Sequence, residues 1–282
     1  MNGTKKKLFF LGIGAAKSGT SWLYDYLTSH PDVAPGPIKE MHVLNDLGNQ
    51  GIFSAVRNLP WHRFAGRKWL AENLKKAYFR ADWDRYYKAY LDILSGDCLA
   101  TGEISTSYMT IPALTLSAVK ERFGASNVRC YGLLVLRDPV ERLISDVRFH
   151  KRLSNENRYA KPVNSSLDQL VRAAIDSEAD TINCHYAMAI RSLHSAFGEM
   201  DRSIIFYEEL FQQGTLNALC EQMGLSWHSA NFGKLVNKTT SAEVVSEATK
   251  RQALDRLRPS YAAVAALLGE EQLHRHWSTG PI

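Results

Sequence analysis

The stretch LFFLGIGAAKSGTSW, residues 8–22, decides the fold of this chain. It opens with a nearly continuous apolar run, which is typical of a strand buried on both faces in a parallel sheet. The turn that follows contains three residues that let a backbone bend sharply and approach a ligand closely: Gly12, Gly14 and Gly19. A helical pattern begins at Thr20, and a helix N-terminus offers unpaired N–H donors and a partial positive charge. The stretch therefore predicts an anion-binding loop, to which Lys17 adds a full charge.

The spacing of this loop is close to that of the nucleotide-binding P-loop, G-x-x-x-x-G-K-[ST], but the lysine is displaced. Gly14 and Gly19 have the required separation. Thr20 occupies the lysine position, and Lys17 lies three places earlier. Because a kinase needs that lysine on the terminal phosphates and the next hydroxyl on Mg²⁺, the loop is predicted to bind an anion without serving a Mg²⁺-dependent ATPase. The structural alternative is a glycine-rich turn with a solvated lysine.

A second motif, LRDPVERLISD at residues 136–146, follows another apolar run. Asp138 is suited to cap the next helix, and Pro139 fits its first turn. Arg137 then lies at the carboxyl end of a strand, where open α/β sheets bind ligands, and Ser145 lies two turns into the helix. A forked guanidinium there suits a phosphate. The alternative is an arginine that only caps its own strand.

Together the two motifs resemble the sulfotransferases that use 3′-phosphoadenosine 5′-phosphosulfate (PAPS). The resemblance extends from about residue 8 to at least residue 240. It implies that the loop holds the 5′-phosphosulfate through Lys17, Ser18, Gly19, Thr20, Ser21 and Trp22, and that Arg137 and Ser145 hold the 3′-phosphate. It also implies that no metal is required, because a sulfuryl group carries less charge than a phosphoryl group. Lys17 would stabilise the charge that develops on the leaving phosphate.

The segment PIKEMHVL, residues 37–44, resembles the K-E-x-H-[FY]-F stretch of the carbohydrate-type branch of this family. There the glutamate takes the proton of the acceptor hydroxyl, so Glu40 is the predicted base, and His42 is its rival. Lys39 and Lys17 would lower the pKa of Glu40, whereas apolar neighbours would raise it by desolvation. The structural alternative is an exposed ion pair of Lys39 with Glu40, beside a packed His42.

Residues 101–108, TGEISTSY, resemble the G-E-K-[ST]-P-x-Y segment of the same family. Ile104 replaces the lysine and Thr106 the proline. If that lysine helps to hold an acidic sugar, its replacement disfavours a polyanionic glycan as acceptor. Glu103 is expected to orient the catalytic loop, with a place in the acceptor pocket as the alternative.

Two later segments also resemble family elements. Tyr207-Glu208-Glu209-Leu210 follows a strand-like run and is expected to be architectural. The loop at 235–241 lies where the family closes over the 3′-phosphate or the adenine, which implies roles for Asn237 and Lys238.

The chain has 282 residues, a net charge of +5 from 34 basic and 29 acidic residues, and four scattered cysteines. The small basic excess suits an anionic ligand, but no basic run with interleaved aromatic residues indicates nucleic acid. No C-x-x-C pair or His/Cys cluster indicates a metal, and no apolar run reaches the ~18 residues that span a membrane. These patterns predict a metal-free, cytoplasmic protein without a transmembrane segment, and they leave the oligomeric state open.

Strand-like and helical segments alternate along the chain. This predicts a single domain over residues 1–282, of α/β class, with three layers and a P-loop-like central parallel sheet flanked by helices. The periodicity predicts separate helices at 167–175 and 185–197. Pro259 is expected to end a helix over 248–257.

Three function classes follow from these patterns. The leading hypothesis is a sulfotransferase that moves a sulfuryl group from PAPS to an acceptor hydroxyl on a sugar, lipid or small alcohol, releasing 3′,5′-adenosine bisphosphate (PAP). The alternative is a P-loop kinase or NTPase with Asp138 as Mg²⁺ ligand, against which the displaced lysine and Arg137 argue. The third is a catalytically silent nucleotide-binding module, against which the presence of both Lys17 and Glu40 argues.

Overall fold

The computed structural model describes residues 6–46, 67–156, 164–233 and 243–277. Within these ranges, parallel strands form one sheet in the order β2-β1-β3-β4. The strands are β1 (Leu8–Gly12), β2 (Ala100–Ile104), β3 (Arg129–Leu136) and β4 (Arg202–Phe206). The predicted α/β class with a central parallel sheet is confirmed.

Both faces of the sheet are buried. Successive side chains of a strand point to opposite faces, and β1 shows this directly. Phe9 stacks on Phe123, with ring centroids 4.0 Å apart, in the larger buried cluster. Phe10 belongs to a second cluster, where its ring approaches Tyr24. Because neither face of β1 meets solvent, its sequence is continuously apolar rather than alternating.

Helices cover both faces and make the outer layers. The described α-helices are α1 (Thr20–Ser29), α2 (Arg67–Arg80), α3 (Trp83–Leu94), α4 (Ala113–Ala125), α5 (Pro139–Glu156), α6 (Leu167–Ala196), α7 (Tyr207–Leu210), α8 (Gln213–Met223), α9 (Glu247–Leu268) and α10 (Glu270–His276). Residues of α1 and α8 line the second cluster, and residues of α3, α4, α6 and α9 line the larger one. No helix in the described ranges is long and apolar enough to cross a membrane.

Two expected helix breaks are absent, and both predictions were wrong. Residues 167–175 and 185–196 belong to the continuous helix α6, which is 30 residues long, and Phe197 follows as its C-cap. Its middle loses the apolar stripe but contains neither Gly nor Pro, so nothing interrupts the backbone hydrogen bonds. Pro259 lies inside α9 rather than at its end. An interior proline costs about 3 kcal/mol, but Leu257 and Tyr261 on either side are buried, and their packing keeps both halves in one helix.

The topology places a crevice at the carboxyl ends of β1 and β3. The chain leaves β1 for β2 on one side, whereas β3 lies on the other side of β1 and leads to β4. Neighbouring parallel strands whose connections leave in opposite directions open a ligand-binding crevice at their carboxyl ends. The glycine-rich loop follows β1 and Arg137 follows β3, so the two sequence motifs meet at this edge.

Candidate anion-binding site

The glycine-rich loop is fixed to β3 by backbone hydrogen bonds. The N–H of Ala15 donates to the carbonyl of Val135 at 2.8 Å, and the N–H of Val135 donates to the carbonyl of Gly14 at 2.9 Å. Gly19 ends the loop with φ 77°, in the left-handed region that only glycine adopts readily. A Cβ at Gly19 would also lie 2.8 Å from Leu210 Cδ2. These contacts fix the turn that leads from β1 into the N-terminus of α1.

The side chain of Lys17 is partly buried and lies near two other cations, Arg137 and Arg152. Its Nζ lies 3.5 Å from the centroid of the Phe149 ring on α5. Burial lowers the pKa of Lys17 to about 8; Asp146 opposes this shift, and the charges of Arg152 and Arg137 add to it. The backbone of Lys17 has φ 64°, which is uncommon for a residue with a side chain and recurs at functional sites. A bound anion would favour the charged form of this amine.

Arg137 joins the two motifs. Its Nη1 donates to the carbonyl oxygen of Lys17 at 3.0 Å, and its guanidinium lies over the Tyr207 ring at 4.4 Å. Glu141 is 3.9 Å away, beyond hydrogen-bond distance. The Nε of Arg137 is buried and has no hydrogen-bond partner in the described part of the chain. Arg137 is therefore held beside the loop, and its buried Nε–H remains available to a ligand.

A second arginine, which sequence reasoning missed, supports the loop. Arg142 Nε donates to the carbonyl of Ala16 at 3.1 Å, one residue before the carbonyl that Arg137 contacts. Arg142 is buried on the first turns of α5. Its signal in the sequence is its position in the helix that follows Arg137, on the side turned toward the sheet. Ser145 lies partly buried further along the same helix.

The other predicted contact residues lie in different surroundings. Ser18 and Thr20 are buried at the N-terminus of α1, and Ser21 Oγ accepts a hydrogen bond from Lys39 Nζ. Trp22 points away into an aromatic cluster, with its ring stacked on Tyr26 and Phe232. Asn237 and Lys238 lie outside the described residues.

The segment with the two candidate bases lies against the start of α1. Lys39, which contacts Ser21, is 3.5 Å from Glu40 Oε1. Glu40 Oε2 is 3.4 Å from His42 Nε2, and His42 Nδ1 is 2.7 Å from Ser107 Oγ. Glu40, His42 and Ser107 therefore form a chain of polar groups. His42 has φ 54°, the second left-handed non-glycine residue of the site.

Opposing effects set the pKa of Glu40. Burial raises it, but the hydrogen bond from His42 and the charges of Lys39, His42 and Lys76 outweigh burial and leave the pKa below its ordinary value. The expected influence of Lys39 is confirmed. The second lysine that lowers the pKa of Glu40 is Lys76 of α2, whereas the sequence predicted Lys17 in that role. Glu40 is therefore ionised at neutral pH, as an acceptor of protons must be.

Glu103 holds this segment in place. It is fully buried at the end of β2. Its Oε2 accepts from the N–H of Met41 at 2.9 Å and from Ser105 Oγ at 2.7 Å. Its Oε1 accepts from Tyr86 OH at 2.6 Å and Tyr108 OH at 3.1 Å. Burial raises the pKa of Glu103, and these four donors offset part of that shift. One donor is the backbone N–H between Glu40 and His42, which is the contact that the predicted orienting role requires.

Replacing Glu103 by glutamine is expected to lower the free energy of unfolding by about 1–3 kcal/mol, because an amide NH₂ would face groups that themselves donate. The N–H of Met41 has no freedom to rotate away. Urea denaturation measures the loss, and Glu121→Gln on the exposed face of α4 is the matched control. A stability equal to that of the control would show that the four hydrogen bonds do not depend on a carboxylate.

Asp138 and Glu208 have structural roles at the rear of the site. Asp138 Oδ1 accepts from the N–H of Val140 at 2.9 Å and from Tyr261 OH at 3.0 Å, so it caps α5 as predicted. Glu208 accepts from the N–H of Asp138 at 3.1 Å and from Trp277 Nε1 at 3.2 Å. These hydrogen bonds agree with the architectural role expected for this turn, which stays a prediction.

The fold matches those of solved sulfotransferases. A sulfotransferase from Alicyclobacillus acidocaldarius is 22% identical, with a TM-score of 0.63 over 95% of this chain and 99% of that chain. A sulfotransferase domain from the curacin biosynthetic pathway is 14% identical, with a TM-score of 0.51 over 95% of this chain and 99% of that chain. No family model and no curated protein matches the sequence. The chain therefore has the sulfotransferase fold.

Proposed function

We propose that this chain is a sulfotransferase that uses PAPS as donor and a hydroxyl-bearing molecule as acceptor. The observation that carries the proposal is the 3.0 Å hydrogen bond from Arg137 to the carbonyl of Lys17. It brings together two motifs that are 120 residues apart. One nucleotide with phosphate groups at both its 5′ and 3′ positions can then contact both motifs.

The chemistry of the donor groups fits such a nucleotide. Lys17 is a partly desolvated cation whose pKa of about 8 would rise beside an anion. Arg137 has a buried Nε without a partner among the described residues. With the N-terminus of α1, Lys17, Thr20 and Ser21 would hold the 5′ side, and Arg137 with Ser145 would hold the 3′-phosphate. Asn237 and Lys238 remain proposed contacts of the same nucleotide.

PAPS supplies an activated sulfuryl group: the new S–O bond forms to the acceptor oxygen, and the S–O bond to the 5′-phosphate breaks. Glu40 accepts the proton of the acceptor hydroxyl, since its low pKa keeps it ionised. His42 contacts Glu40 at 3.4 Å and orients it, with His42 itself as the rival base. Lys17 stabilises the charge on the departing phosphate. Glu103 fixes the backbone between the two candidate bases.

Thermal denaturation with PAP or with Mg-ATP separates this proposal from the kinase alternative. PAP at 100 times its dissociation constant is expected to add about 2.7 kcal/mol to the free energy of unfolding, without any need for magnesium. Arg137→Met is expected to reduce the shift, whereas Arg275→Gln, on an exposed pair with Glu271 of α10, leaves it unchanged. A shift with Mg-ATP alone would contradict the proposal. Labelled PAPS and a panel of alcohols would then identify the acceptor.

A further inference from the structure

The helix α5 continues past Ser145 with two arginines that the donor site does not use. Ser145, Arg148, Phe149 and Arg152 are spaced i, i+3, i+4 and i+7, so they lie on one face of the helix. Lys17 Nζ lies 3.5 Å from the centroid of the Phe149 ring, and the guanidinium of Arg152 lies 5.4 Å from the same centroid. The face therefore presents a ring next to two cations.

Both arginines have an unused buried donor. The Nε atoms of Arg148 and Arg152 are buried, and neither has a hydrogen-bond partner within the described ranges. Buried polar groups of native proteins are rarely left in this state. The same condition holds for Arg137 Nε, which the proposed function assigns to a phosphate. Two of the three arginines, Arg137 and Arg152, lie close enough to Lys17 for their charges to act on it, and Arg148 lies one turn before Arg152 on the same helix face. This arrangement indicates that the site accommodates more than one anionic group.

The carboxylates nearby do not satisfy these two donors. Glu156 approaches Arg152 Nε only to 3.6 Å and is largely exposed. Glu243 is held by Lys151 Nζ at 2.6 and 2.7 Å and accepts from the N–H of Leu167 at 2.7 Å. Asp146 is 3.6 Å from His150. Glu156 therefore pairs with Arg152 at the surface without a hydrogen bond to Nε, and the charge of Arg148 acts on Glu243, whose oxygens already accept from Lys151 and Leu167.

The order of groups along α5 shows which ligand would use the arginines. Ser145 is assigned to the 3′-phosphate. Phe149, where Lys17 Nζ lies, is about 6 Å further along the helix axis, and Arg152 is about 10 Å beyond Ser145. Lys17 marks the sulfuryl end of the donor. An anion bound near Arg152 therefore lies further from the nucleotide than the transferred sulfuryl group does. This is the side from which the acceptor approaches.

Resting on the proposed function, we propose that Arg148 and Arg152 bind an anionic substituent of the acceptor, which makes the acceptor an alcohol that also carries a carboxylate or a phosphate. Both groups suit the guanidinium fork. The Phe149 ring offers an apolar surface to the carbon skeleton between the anion and the reacting hydroxyl. This recognition comes from α5 and so does not require the lysine that Ile104 replaces in the 101–108 segment.

The first test measures binding of inorganic phosphate to the protein saturated with PAP, by isothermal titration calorimetry. Saturation with PAP fills both phosphate subsites of the donor but leaves the sulfuryl position empty, so the part of the phosphate binding that the double variant loses reports the arginine site. The wild type is expected to bind phosphate, and the Arg148→Gln/Arg152→Gln double variant to bind it at least tenfold more weakly. PAP affinity is expected to change less than twofold. Arg275→Gln is the control for the loss of an arginine from a helix surface.

The second test compares a matched pair of acceptors, methyl glucoside and methyl glucuronoside, with labelled PAPS. For each enzyme, kcat/KM for the acidic acceptor is divided by kcat/KM for the neutral one. This ratio is expected to be at least tenfold lower in Arg148→Gln and in Arg152→Gln than in the wild type, because KM for the acidic acceptor rises. Equal phosphate affinity in the wild type and the double variant, or a tenfold loss of PAP affinity, would overturn the inference. Absence of PAP binding to the wild type would instead overturn the proposed function.

Discussion

Replacing Lys17 by methionine is expected to lower kcat about 10²–10³-fold, which is the usual cost of removing one preorganised donor from a developing negative charge. Methionine keeps the length and the contact with the Phe149 ring while it removes the charge. The amine lies where burial strengthens its interaction with an anion, as its low pKa shows. Single-turnover rates at saturating PAPS measure the loss, and PAP affinity is expected to fall far less.

The pH dependence of the wild type tests the same residue. Because the pKa of Lys17 is about 8 in the free protein, the cation is present below that pH and is lost above it. The kcat/KM for PAPS is therefore expected to fall as the pH rises through about 8. Lys17→Arg keeps its charge at every such pH and should lack this alkaline decline. An unchanged rate in Lys17→Met, or the same decline in Lys17→Arg, would contradict the assigned role.

Replacing Glu40 by glutamine is expected to lower kcat about 10²–10⁴-fold, the contribution of a positioned base. The amide keeps the shape of the side chain but takes no proton. Its neighbours Lys39 and His42 are retained, so PAP affinity should stay within a few-fold. Since the pKa of Glu40 is below its ordinary value, the wild-type rate should persist at mildly acidic pH and decline only as Glu40 becomes protonated.

His42→Ala distinguishes the two candidate bases. If Glu40 is the base and His42 orients it, His42→Ala should lose less activity than Glu40→Gln. Glu121→Gln provides the control for a change of charge on an exposed helix. Full activity in Glu40→Gln together with an inactive His42→Ala would assign the proton transfer to His42.

The adjacency of Lys17 and Arg137 could be predicted from the sequence because local patterns determine it. Two buried runs indicate parallel strands, and each functional residue follows the end of its strand. Neighbouring parallel strands then bring both residues to one edge. The cap at Asp138 follows from the same local rules.

Contacts between distant segments could not be predicted in this way. The position of Arg142 on α5 shows that it faces the sheet, but its contact with the carbonyl of Ala16 depends on how α5 packs beside the loop. The four donors to Glu103 come from four separate positions on three segments. The continuity of α9 through Pro259 depends on packing that outweighs a local propensity.

The most direct measurement is a crystal structure of this protein with PAP. The 5′-phosphate should lie within hydrogen-bond distance of Lys17 Nζ and the first amides of α1, and the 3′-phosphate should contact Arg137 and Ser145. A nucleotide bound elsewhere, or one that contacts the loop while its 3′-phosphate leaves Arg137 untouched, would contradict the joint use of the two motifs.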